Sequence, residues 1–446
     1  MTRTEPARGM RDFLPEDVRR RAHVIGVIAG VYQKYGFEPL ETPSVENIET
    51  LLGKYGEEGN QLIFKILKRG VHESTGEADL ALRYDLTVPL ARVMAEHRAK
   101  LPRLFRRYQI QPVWRADRPG RGRFREFYQC DVDITGSTSP VVEAELCAAV
   151  SDCLETLGFS EFTIRLNHRG VLRAVLTSAQ VPADRHTDAL VALDKLDKIG
   201  PEGVTREFVE RGIAPDCAAR LLGWLGADVS EDWLNQFERA LGELDEDGRA
   251  AFANLRDIIR LSGGTSAGRH LKFEPSLARG LSYYTGAIME IGVPDLAGSL
   301  GGGGRYDNLV GMFSKEGIPS CGFSLGLERI LVVMGERGMF PASIAGAAAE
   351  VLVATMRPED TAYAMRVATA LRGQGLRVMV YPDAGKIQKP LKYAEEVRIP
   401  CVAILGESEV ARGEVTLKFL ASRHQEVAGL EQAGAVARQH LGDVRG

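Results

Sequence analysis

The sequence predicts an α+β domain that is interrupted by a helical module and followed by a separate α/β domain. Two strand-like runs, Tyr108–Val113 and Phe127–Ile134, flank an arginine-rich turn and predict a β-hairpin. Residues 165–262 show helical periodicity with no strand between the helices. Further along, short β-rich runs alternate with helices, which is typical of a largely parallel sheet. The predicted divisions are a first domain at 1–334 that is interrupted at about 165–262, a linker at 335–349 and a last domain at 350–446.

Size and composition are those of an ordinary globular protein with two or three domains. The chain has 446 residues, of which 44% are hydrophobic and 26% are charged, and its net charge is −4. This balance excludes a uniformly basic nucleic-acid coat, so nucleic acid would have to bind through local patches. The apolar run Val24–Tyr32 is too short to span a bilayer, and no signal peptide is visible. We expect a soluble protein without a membrane partner.

The use of cysteine points to a reducing compartment. No two of the six cysteines form a C-x-x-C pair, so the sequence indicates neither a zinc pattern nor a disulfide framework. We expect reduced, mostly buried thiols in a cytosolic protein. The six residues are Cys130, Cys147, Cys153, Cys217, Cys321 and Cys401.

Local signals place the elements of the first domain in order. Pro15-Glu16-Asp17 opens a helix, because proline suits the first helical position and acids favour the first turn. Gly36 ends this helix, since glycine takes the left-handed cap conformation readily. The other predicted elements are the strand Phe37–Thr42, the strand Ala81–Pro89, the helix Leu90–Ala99, the helix Pro140–Gly158, the strand Ala287–Ile291 and the final segment Ser324–Met334.

The last domain follows a segment, 335–349, that is rich in glycine and alanine, as linkers are. Strands and helices then alternate, and this order predicts parallel strands joined by crossover helices. The predicted elements are the strands Val351–Ala354, Arg377–Tyr381 and Cys401–Leu405 and the helices Asp360–Arg372 and Lys389–Val397.

The most informative feature is the hairpin loop, where five arginines fall within eleven residues. A guanidinium stays charged at any usable pH and presents a planar fork of donors that suits phosphate oxygens. Alternating strand positions share a face, so Arg115, Arg123 and Arg125 are predicted to lie together beside aromatic rings. Pro119-Gly120 is predicted to supply the turn. The pattern favours a nucleotide, with its base on a ring and its phosphates on the guanidiniums. A solvated loop that pairs with surface acids is the alternative.

Further segments suggest a ligand site in the same domain. The run Gly301–Gly304 is not a P-loop, because no Lys-Ser or Lys-Thr follows it. Four glycines let a backbone lie against a ligand, and a flexible turn is the alternative. Tyr283 and Tyr284 either wall a pocket for a polar ring or pack in the core. Gly326-Leu327-Glu328-Arg329 opens an apolar helix and is a weak signal by itself.

Together these segments resemble the histidyl-tRNA synthetase family of the class II aminoacyl-tRNA synthetases. The arginine hairpin has the form of class II motif 2, and the resemblance runs from about Gly9 into the last domain. The other matching segments are Phe37–Pro43 for motif 1, Gly326–Arg329 for motif 3, the family-specific peptides Arg279–Tyr284 and Gly303–Asp307, and the segments Asp85–Thr87 and Gln129–Asp133.

The resemblance implies an α+β catalytic domain with an antiparallel sheet of six or more strands flanked by helices, an inserted helical domain and a C-terminal α/β anticodon-binding domain. It also implies a cytoplasmic homodimer with motif 1 at the interface. The implied reaction is the ATP-dependent attachment of L-histidine to tRNA(His) through a histidyl-adenylate, with release of AMP and diphosphate. ATP is a substrate and Mg²⁺ assists, although no protein ligand to the metal is assignable.

Roles for individual residues are implied in the same way. Arg115 and Arg279 would be catalytic and contact the α-phosphate. Arg123 would reach the γ-phosphate, while Phe127 and Arg329 would hold the adenine. The implied histidine-binding residues are Asp85, Leu86, Thr87, Gln129, Asp133, Tyr283, Tyr284 and Tyr306.

The sequence departs from the family pattern at Ser282, where many members have aspartate, so the network around Arg279 differs there. A rival is a histidine-sensing paralogue without catalysis, such as the regulatory subunit of ATP phosphoribosyltransferase. In the last domain, Lys386, Lys389 and Lys392 follow one another at three-residue spacing. They either contact tRNA phosphates or form a solvated helix face.

Overall fold

The computed structural model describes residues 4–70, 75–225, 233–278, 283–294, 296, 298–314, 316–341, 344 and 346–442. The chain divides into two compact units, Met1–Met339 and Phe340–Gly446. Each unit is described by itself below.

The first unit contains eleven strands and twelve helices among its described residues. The strands are β1 (Glu38–Pro39), β2 (Val45–Asn47), β3 (Lys65–Leu67), β4 (Ala78–Leu82), β5 (Phe105–Trp114), β6 (Glu126–Thr135), β7 (Thr163–His168), β8 (Leu271–Phe273), β9 (Ala287–Gly292), β10 (Ser299–Arg305) and β11 (Ser320–Gly326). The helices are α1 (Pro15–Lys34), α2 (Ile48–Leu51), α3 (Gly56–Gln61), α4 (Thr87–Glu96), α5 (Val141–Thr156), α6 (Arg169–Ser178), α7 (His186–Leu193), α8 (Leu196–Glu210), α9 (Pro215–Leu225), α10 (Trp233–Leu241), α11 (Glu246–Ser262) and α12 (Leu327–Glu336).

An eight-stranded sheet organises this unit, in the order β1-β5-β6-β11-β10-β9-β7-β8. The six central strands are antiparallel to their neighbours. The edge strands β1 and β8 are short and pair in parallel with β5 and β7. The predicted antiparallel sheet of six or more strands is therefore confirmed.

Helix α1 and the hairpin β5–β6 form where their local signals place them. Pro15 stands at the start of α1 with Glu16 and Asp17 in its first turn, and Lys34 lies in its last turn. These charges oppose the helix dipole at both ends. Gly36 follows with a φ of 73°, the left-handed cap. In most of β6 the side chains on both faces of the strand are buried. Helices α1, α5 and α12 pack against this strand.

The helical module is the crossover between the parallel strands β7 and β8. Helices α6 to α11 run from Arg169 to Ser262 between these two strands. The predicted start at 165 lies inside β7, since residues 165–168 pair with β9 in the sheet. Within the module, α8 bends at Gly200, which has a φ of 67° and is followed by Pro201.

Two predicted strands differ in the structure. Only Glu38 and Pro39 of the predicted strand Phe37–Thr42 pair with β5. The predicted strand Ala81–Pro89 ends at Leu82, and α4 begins at Thr87. Proline is tolerated in the first turn of a helix because an amide there has no intrahelical partner, so Pro89 does not stop α4.

A separate three-stranded sheet, in the order β2-β4-β3, lies beside this domain core. Its outer surface carries apolar side chains that are partly exposed to solvent. These are Val45, Leu67 and Leu80, together with Leu52 beside α2.

The second unit is a five-stranded sheet with helices on both faces. Its strands are β12 (Val351–Thr355), β13 (Val378–Val380), β14 (Cys401–Leu405), β15 (Glu414–Phe419) and β16 (Gln425–Gly429). Its helices are α13 (Thr361–Gly373), α14 (Gln388–Glu396), α15 (Glu407–Arg412) and α16 (Ala433–Leu441). One apolar cluster contains residues of α13 and α16, and another contains residues of α14.

The expectation of a largely parallel sheet is only partly met in this unit. The order is β13-β12-β14-β15-β16, and only the pairs β12–β13 and β12–β14 are parallel. Strand β15 is antiparallel to both of its neighbours, β14 and β16. A short loop suffices for an antiparallel pair, and here β15 and β16 form a hairpin that no crossover helix separates.

All six cysteines are buried and none is in a disulfide, as expected. Among the described residues, no helix is both long and apolar enough to cross a membrane.

Candidate active site

The candidate site lies on one face of the eight-stranded sheet. Residues paired across neighbouring strands project to the same face, so the register defines rows of side chains. One row runs Arg107, Asp133, Gly322, Gly304, and the next runs Gln109, Asp131, Ser324, Gly302, Glu290, Arg165. Three of these positions are glycine, so the middle of the face carries only the small side chain of Ser324. We call this surface the glycine floor.

The four-glycine run is strand β10 and is therefore not a flexible turn. A β-carbon at Gly301 would lie 2.5 Å from the Ser324 carbonyl oxygen, and one at Gly303 would overlap the Gly322 carbonyl. Glycine is needed at both positions because β10 and β11 approach closely. Gly302 differs, since an added β-carbon there would meet only the Met289 carbonyl, at 3.3 Å. The floor at Gly302 thus has room above it.

This difference gives a paired prediction for Gly302→Ala and Gly322→Ala. A methyl at residue 322 would overlap the Asp133 carboxylate. We expect Gly322→Ala to lower stability by roughly 1–3 kcal/mol, because the core there is overpacked. Gly302→Ala should keep near-wild-type stability, and its methyl should weaken the binding of histidine or ATP, the two ligands that the family resemblance implies. Urea unfolding and equilibrium binding measure the two effects. Unchanged binding of both ligands by Gly302→Ala would place the ligand elsewhere.

Asp85 is the centre of a buried hydrogen-bond cluster at one edge of the site. Its Oδ1 accepts from the Tyr55 hydroxyl and from the Val88 amide, each at 3.0 Å. Its Oδ2 accepts from the Tyr283 hydroxyl at 3.2 Å. Burial raises the pKa of Asp85, and the Val88 amide and the nearby Arg115 oppose this rise. The cluster fixes the carboxylate at the start of α4.

The neighbours of Asp85 contribute in different ways. Thr87 is the first residue of α4 and is half-buried. The Leu86 side chain is fully buried, and the Leu86 carbonyl accepts from Arg107 Nη2 at 3.2 Å. Leu86 therefore contributes its backbone carbonyl to the site, as an acceptor for Arg107, and its side chain packs in the core.

A buried ion network joins β5 to β6 on the same face of the sheet, beside the glycines. Arg107 is fully buried, and its Nη2 lies 2.9 Å from Asp133 Oδ2 and 3.8 Å from Asp131 Oδ2. The Tyr306 hydroxyl donates a short hydrogen bond to Asp133. Burial raises the pKa of both aspartates, while the Arg107 charge lowers it. Two carboxylates here share one guanidinium.

Three side-chain acceptors on this face have no hydrogen-bond partner among the described residues. They are Gln109 Oε1, Gln129 Oε1 and Asp131 Oδ1, and all three are buried. The Gln129 amide nitrogen donates to Ser324 Oγ at 2.9 Å, which directs Oε1 away from that hydroxyl. Buried acceptors are normally satisfied, so these atoms indicate where donors of a ligand would bind.

Several residues of the site were missed in the sequence. Arg107 and Asp131 have a recoverable signal, because Arg107, Gln109 and Gln111 alternate along β5 as Gln129, Asp131 and Asp133 do along β6. Tyr55 has no such signal, since it reaches Asp85 only through the packing of the segment before α3.

Three tyrosines stand at the end of β10. The rings of Tyr283 and Tyr284 are 5.2 Å apart and those of Tyr283 and Tyr306 are 6.0 Å apart, both edge to face. Tyr283 and Tyr306 are buried in an apolar cluster. Tyr284 is half-buried, and an added β-carbon at Gly304 would meet its ring at 3.0 Å. The sequence left open whether Tyr283 and Tyr284 wall a pocket or pack in the core. Both apply, because these rings pack in the core and also border the floor.

Arg115 leaves β5 at the other side of the site. Its guanidinium lies over the Tyr84 ring at 4.4 Å and over the Phe127 ring at 5.2 Å. Its Nε donates to the Tyr84 carbonyl at 3.0 Å. Arg115 is thus held in place by the protein itself, with Phe127 beside it as predicted.

The tight turn of the hairpin differs from the prediction. Gly120 and Arg123 pair with each other, so the turn is Arg121-Gly122, with a φ of 66° at Gly122. Glycine takes this conformation without strain, whereas Pro119 only leads into it. Arg329 Nε donates to the Gly122 carbonyl at 3.4 Å, and Arg329 Nη1 donates to the Ser299 carbonyl. Arg329 therefore connects α12, the hairpin turn and β10.

The predicted common face of Arg115, Arg123 and Arg125 is observed only in part, because Arg123 and Arg125 both contact Asp117 while Arg115 lies against Tyr84 and Phe127. Arg123 is exposed and lies 3.9 Å from Asp117, while Arg125 Nε donates to the Asp117 carbonyl at 3.1 Å. The loop is not a regular strand beyond Trp114, so period-two alternation ends there. The face of Phe124 is covered by Arg11 at 3.6 Å. This ring is therefore occupied by the chain itself.

Two of the predicted positions cannot be placed. Arg279 and Ser282 lie outside the described residues. Both described flanks reach the site: Ala278 borders a small cavity together with Glu290 and Arg165, and Tyr283 binds Asp85.

Glu328, in the first turn of α12, gives the site a pH dependence. Its Oε2 accepts from the Tyr128 amide at 2.9 Å. Burial raises the pKa of Glu328 from an ordinary value of 4.5 to about 7, although that amide and the nearby Arg11 and Arg21 favour the charged form. Because the folded pKa is the higher one, this group contributes stability at low pH that is lost as the pH rises to about 7.

Glu328→Gln should remove that pH dependence. We expect the free energy of unfolding to fall less between pH 5 and pH 8 in the variant, by roughly 2–3 kcal/mol. All three tryptophans lie within residues 114–233, so their fluorescence reports on the first unit during urea unfolding. Glu336→Gln, on the exposed side of the same helix, is the control. Parallel pH profiles for wild type and Glu328→Gln would contradict the assignment.

In the second unit, the three lysines are exposed near one end of the sheet. Lys386 precedes α14, and Lys389 and Lys392 lie on it. Their exposure is compatible with either prediction made for them.

Comparison with known proteins gives a consistent result. A family model described as "Histidyl-tRNA synthetase" matches residues 9–330, and one described as "Anticodon binding domain" matches residues 350–440. A histidine–tRNA ligase of Porphyromonas gingivalis is 40% identical over 96% of this chain and 98% of its own. One of Christiangramia forsetii is also 40% identical, over 94% and 95%.

Solved structures agree with these relatives. The crystal structure of histidyl-tRNA synthetase from Nostoc sp. PCC 7120 matches with a TM-score of 0.81 and 29% identity, over 99% of this chain and 100% of that one. A structure from Bacillus halodurans C, described as an ATP phosphoribosyltransferase regulatory subunit/histidyl-tRNA synthetase, matches with a TM-score of 0.74. At 22% identity, that likeness concerns the fold alone.

Proposed function

Because the chain belongs to the histidyl-tRNA synthetase family, we propose that the glycine floor is where it joins L-histidine to tRNA(His) at the expense of ATP. The reaction is that of a histidine–tRNA ligase, which forms histidyl-adenylate and then transfers histidine to the tRNA. The observation that carries the placement is the group of unpartnered acceptors, Gln109 Oε1, Gln129 Oε1 and Asp131 Oδ1, on the same sheet face as the open position Gly302.

We propose that histidine lies on the floor between Asp85 and Asp133. Its ammonium and ring N–H groups are donors, and the described face offers carboxylate and amide acceptors to match them. Tyr284 borders this space and Thr87 lies at its edge beside Asp85. A site built from such buried partners rejects analogues that lack a donor, because its polar groups would be left unpaired.

We propose that ATP binds at the hairpin side of the floor. Arg115 supplies a fixed guanidinium for the α-phosphate, with Phe127 beside it for the adenine. Arg329 holds the turn at Gly122, and we propose that it covers the other face of the adenine. Arg123 is exposed at the loop, where it has access to the γ-phosphate. Arg279 keeps its proposed α-phosphate role.

These residues act through electrostatics and positioning. The histidine carboxylate is itself the nucleophile, so the first step requires no protein base. Negative charge spreads over the α-phosphate and the leaving diphosphate, and a guanidinium already held by protein contacts stabilises it without reorganising. In the second step a ribose hydroxyl of the tRNA attacks the adenylate carbonyl, and AMP leaves.

We propose that Mg²⁺ accompanies ATP. This ion takes oxygen ligands and keeps several waters, and the carboxylate of Glu290 beside Gly302 is the kind of donor it accepts. Bound Mg²⁺ would neutralise phosphate charge. Glu290 would hold it together with the phosphate oxygens.

The reaction is tested by histidine-dependent exchange of pyrophosphate into ATP, followed by charging of tRNA(His). We expect both activities. The rival, a histidine-sensing paralogue, would bind histidine without exchange. The anticodon-domain match at residues 350–440 favours the synthetase over that rival. Histidine binding without exchange, in the presence of Mg²⁺, would overturn the proposal.

We propose that the row Lys386, Lys389 and Lys392 contacts tRNA phosphates. Replacing all three by glutamine should raise the KM for tRNA(His) and reduce the slope of log K against log salt by roughly 2–3. Pyrophosphate exchange should stay unchanged, since no tRNA takes part in it. Arg366→Gln, an exposed charge on α13, is the control. Equal salt slopes for wild type and the triple variant would leave the row as a solvated face.

We propose that the protein is a cytoplasmic homodimer, and that the exposed apolar residues of the β2-β4-β3 sheet lie at the interface. Val45, Leu67 and Leu80 are each more than a third exposed there. Val45 lies two residues after Pro43, the end of the motif 1 segment, and Leu67 and Leu80 belong to the same small sheet. Sedimentation equilibrium of the full chain measures the state, and a monomer at assay concentration would exclude it.

A further inference from the structure

We infer that His424, Glu426 and His440 form a binding site for Zn²⁺ in the second unit. His440 Nε2 lies 3.0 Å from Glu426 Oε2, and His424 Nε2 lies 3.6 Å from the same oxygen. The three ligand atoms all lie within 4.8 Å of one another. Among the described residues, no other group of three or more His, Cys, Asp or Glu ligands comes together in this way.

The fold brings these residues together from two elements. His424 ends the loop of the β15–β16 hairpin, and Glu426 follows on β16. His440 lies in the last turn of α16, which packs on both strands. The Phe419 ring lies 6.2 Å from the His424 ring and 4.6 Å from the His440 ring. Phe419 thus supports both imidazoles from one side.

The two separations to Glu426 suit a tetrahedral ion. Zinc–nitrogen and zinc–oxygen bonds of about 2.0–2.1 Å place neighbouring ligand atoms about 3.3 Å apart in a tetrahedron. The two observed nitrogen–oxygen separations, 3.0 and 3.6 Å, lie on either side of that value. Two imidazoles and one carboxylate are a donor set that Zn²⁺ takes, with water in the fourth position.

The alternative is that Glu426 pairs with protonated histidines and binds no metal. Solvent reaches all three side chains, which are 29–47% exposed, and an ion pair so exposed contributes little to stability. A bound ion would instead link the hairpin to the end of α16. Metal and proton compete for the same imidazole nitrogens, so uptake of the metal should weaken in acid.

The experiment uses the full chain after removal of metals, without added L-histidine, since free histidine itself binds zinc. Isothermal titration with Zn²⁺ should show one equivalent bound per chain, and Co²⁺ should give the visible absorption of a tetrahedral site. His424→Ala and His440→Ala should each weaken binding by about tenfold or more. His97→Ala, which removes a histidine of the first unit, should leave it unchanged. Pyrophosphate exchange should be the same in all of these variants.

Three results would overturn the inference. One is uptake that is the same in wild type and His440→Ala. Another is uptake of several weak equivalents that none of the variants changes, which would indicate surface adsorption only. The third is a Co²⁺ spectrum of octahedral type, which would show that the imidazoles and Glu426 do not enclose the ion. A Glu426→Gln variant completes the series, because it removes the anionic ligand while it keeps the shape of the side chain.

Discussion

Replacing Arg115 by alanine should slow histidine-dependent exchange of pyrophosphate into ATP by about a hundredfold or more. The lost group is a preorganised charge, and removal of one such group costs on the order of 3 kcal/mol of transition-state stabilisation. The Tyr84 carbonyl and the rings of Tyr84 and Phe127 hold this guanidinium in place without a substrate. The histidine concentration at half-saturation should change far less than the rate.

The matched control is Arg118→Ala, because Arg118 belongs to the same loop and is exposed. Its exchange rate should stay within a few-fold of wild type. Arg115→Lys should recover only part of the rate, since lysine keeps the charge but loses the planar fork. Tryptophan fluorescence will show whether the first unit stays folded. A folded Arg115→Ala variant with nearly normal exchange would remove Arg115 from the chemistry.

Replacing Arg107 by methionine should destabilise the first unit by roughly 3–5 kcal/mol at pH 8. Arg107 is fully buried, and its loss leaves the Asp131 and Asp133 carboxylates buried without a counter-charge. The deficit should shrink towards pH 5. Without Arg107 the pKa of these carboxylates would rise further, so they would take up protons in the folded state and the penalty would fall.

Arg106→Met is the control for this prediction, because the neighbouring residue pairs with Glu145 at a partly exposed position. We expect a loss of about 1 kcal/mol or less there. Adding Asp133→Asn to Arg107→Met should restore part of the stability, since it removes one unpaired charge. Urea unfolding followed by tryptophan fluorescence measures all four proteins. Equal losses of unfolding free energy in Arg106→Met and Arg107→Met would show that the buried network stabilises the protein no more than a surface ion pair does.

The elements with strong local signals were predicted well from the sequence. Helix α1 begins at Pro15 and ends before Gly36, and the hairpin β5–β6 flanks its arginine loop as expected. Local sequence signals are enough to predict these features, because proline, glycine and alternating apolar residues act on the conformation of neighbouring residues. Elements that depend on tertiary pairing were predicted less well. Pro89 does not end a strand but lies in the first turn of α4, and β1 is only two residues long.

For the candidate site, the sequence supplied residue types and motif positions but could not supply contacts. Gly301–Gly304 was open to two interpretations until β10 was seen between β9 and β11. The hairpin pattern predicted an aromatic ring face for a nucleotide base, yet Arg11 covers a face of Phe124. Arg11 is more than a hundred residues from Phe124 in the chain, and β10 pairs with two other strands. Local sequence patterns cannot predict contacts of this kind.

The sequence by itself determined the order of domains, the cationic hairpin and the family to which the chain belongs, because these depend only on residue types and their spacing. Only the tertiary structure decided which polar groups share a face. The row Gln109, Asp131, Ser324, Gly302, Glu290 draws on five strands whose register no local rule fixes. Burial, too, was decided there: alternation along β5 places Arg107 on a strand face, but only the packing around it makes its charge the partner of two buried carboxylates.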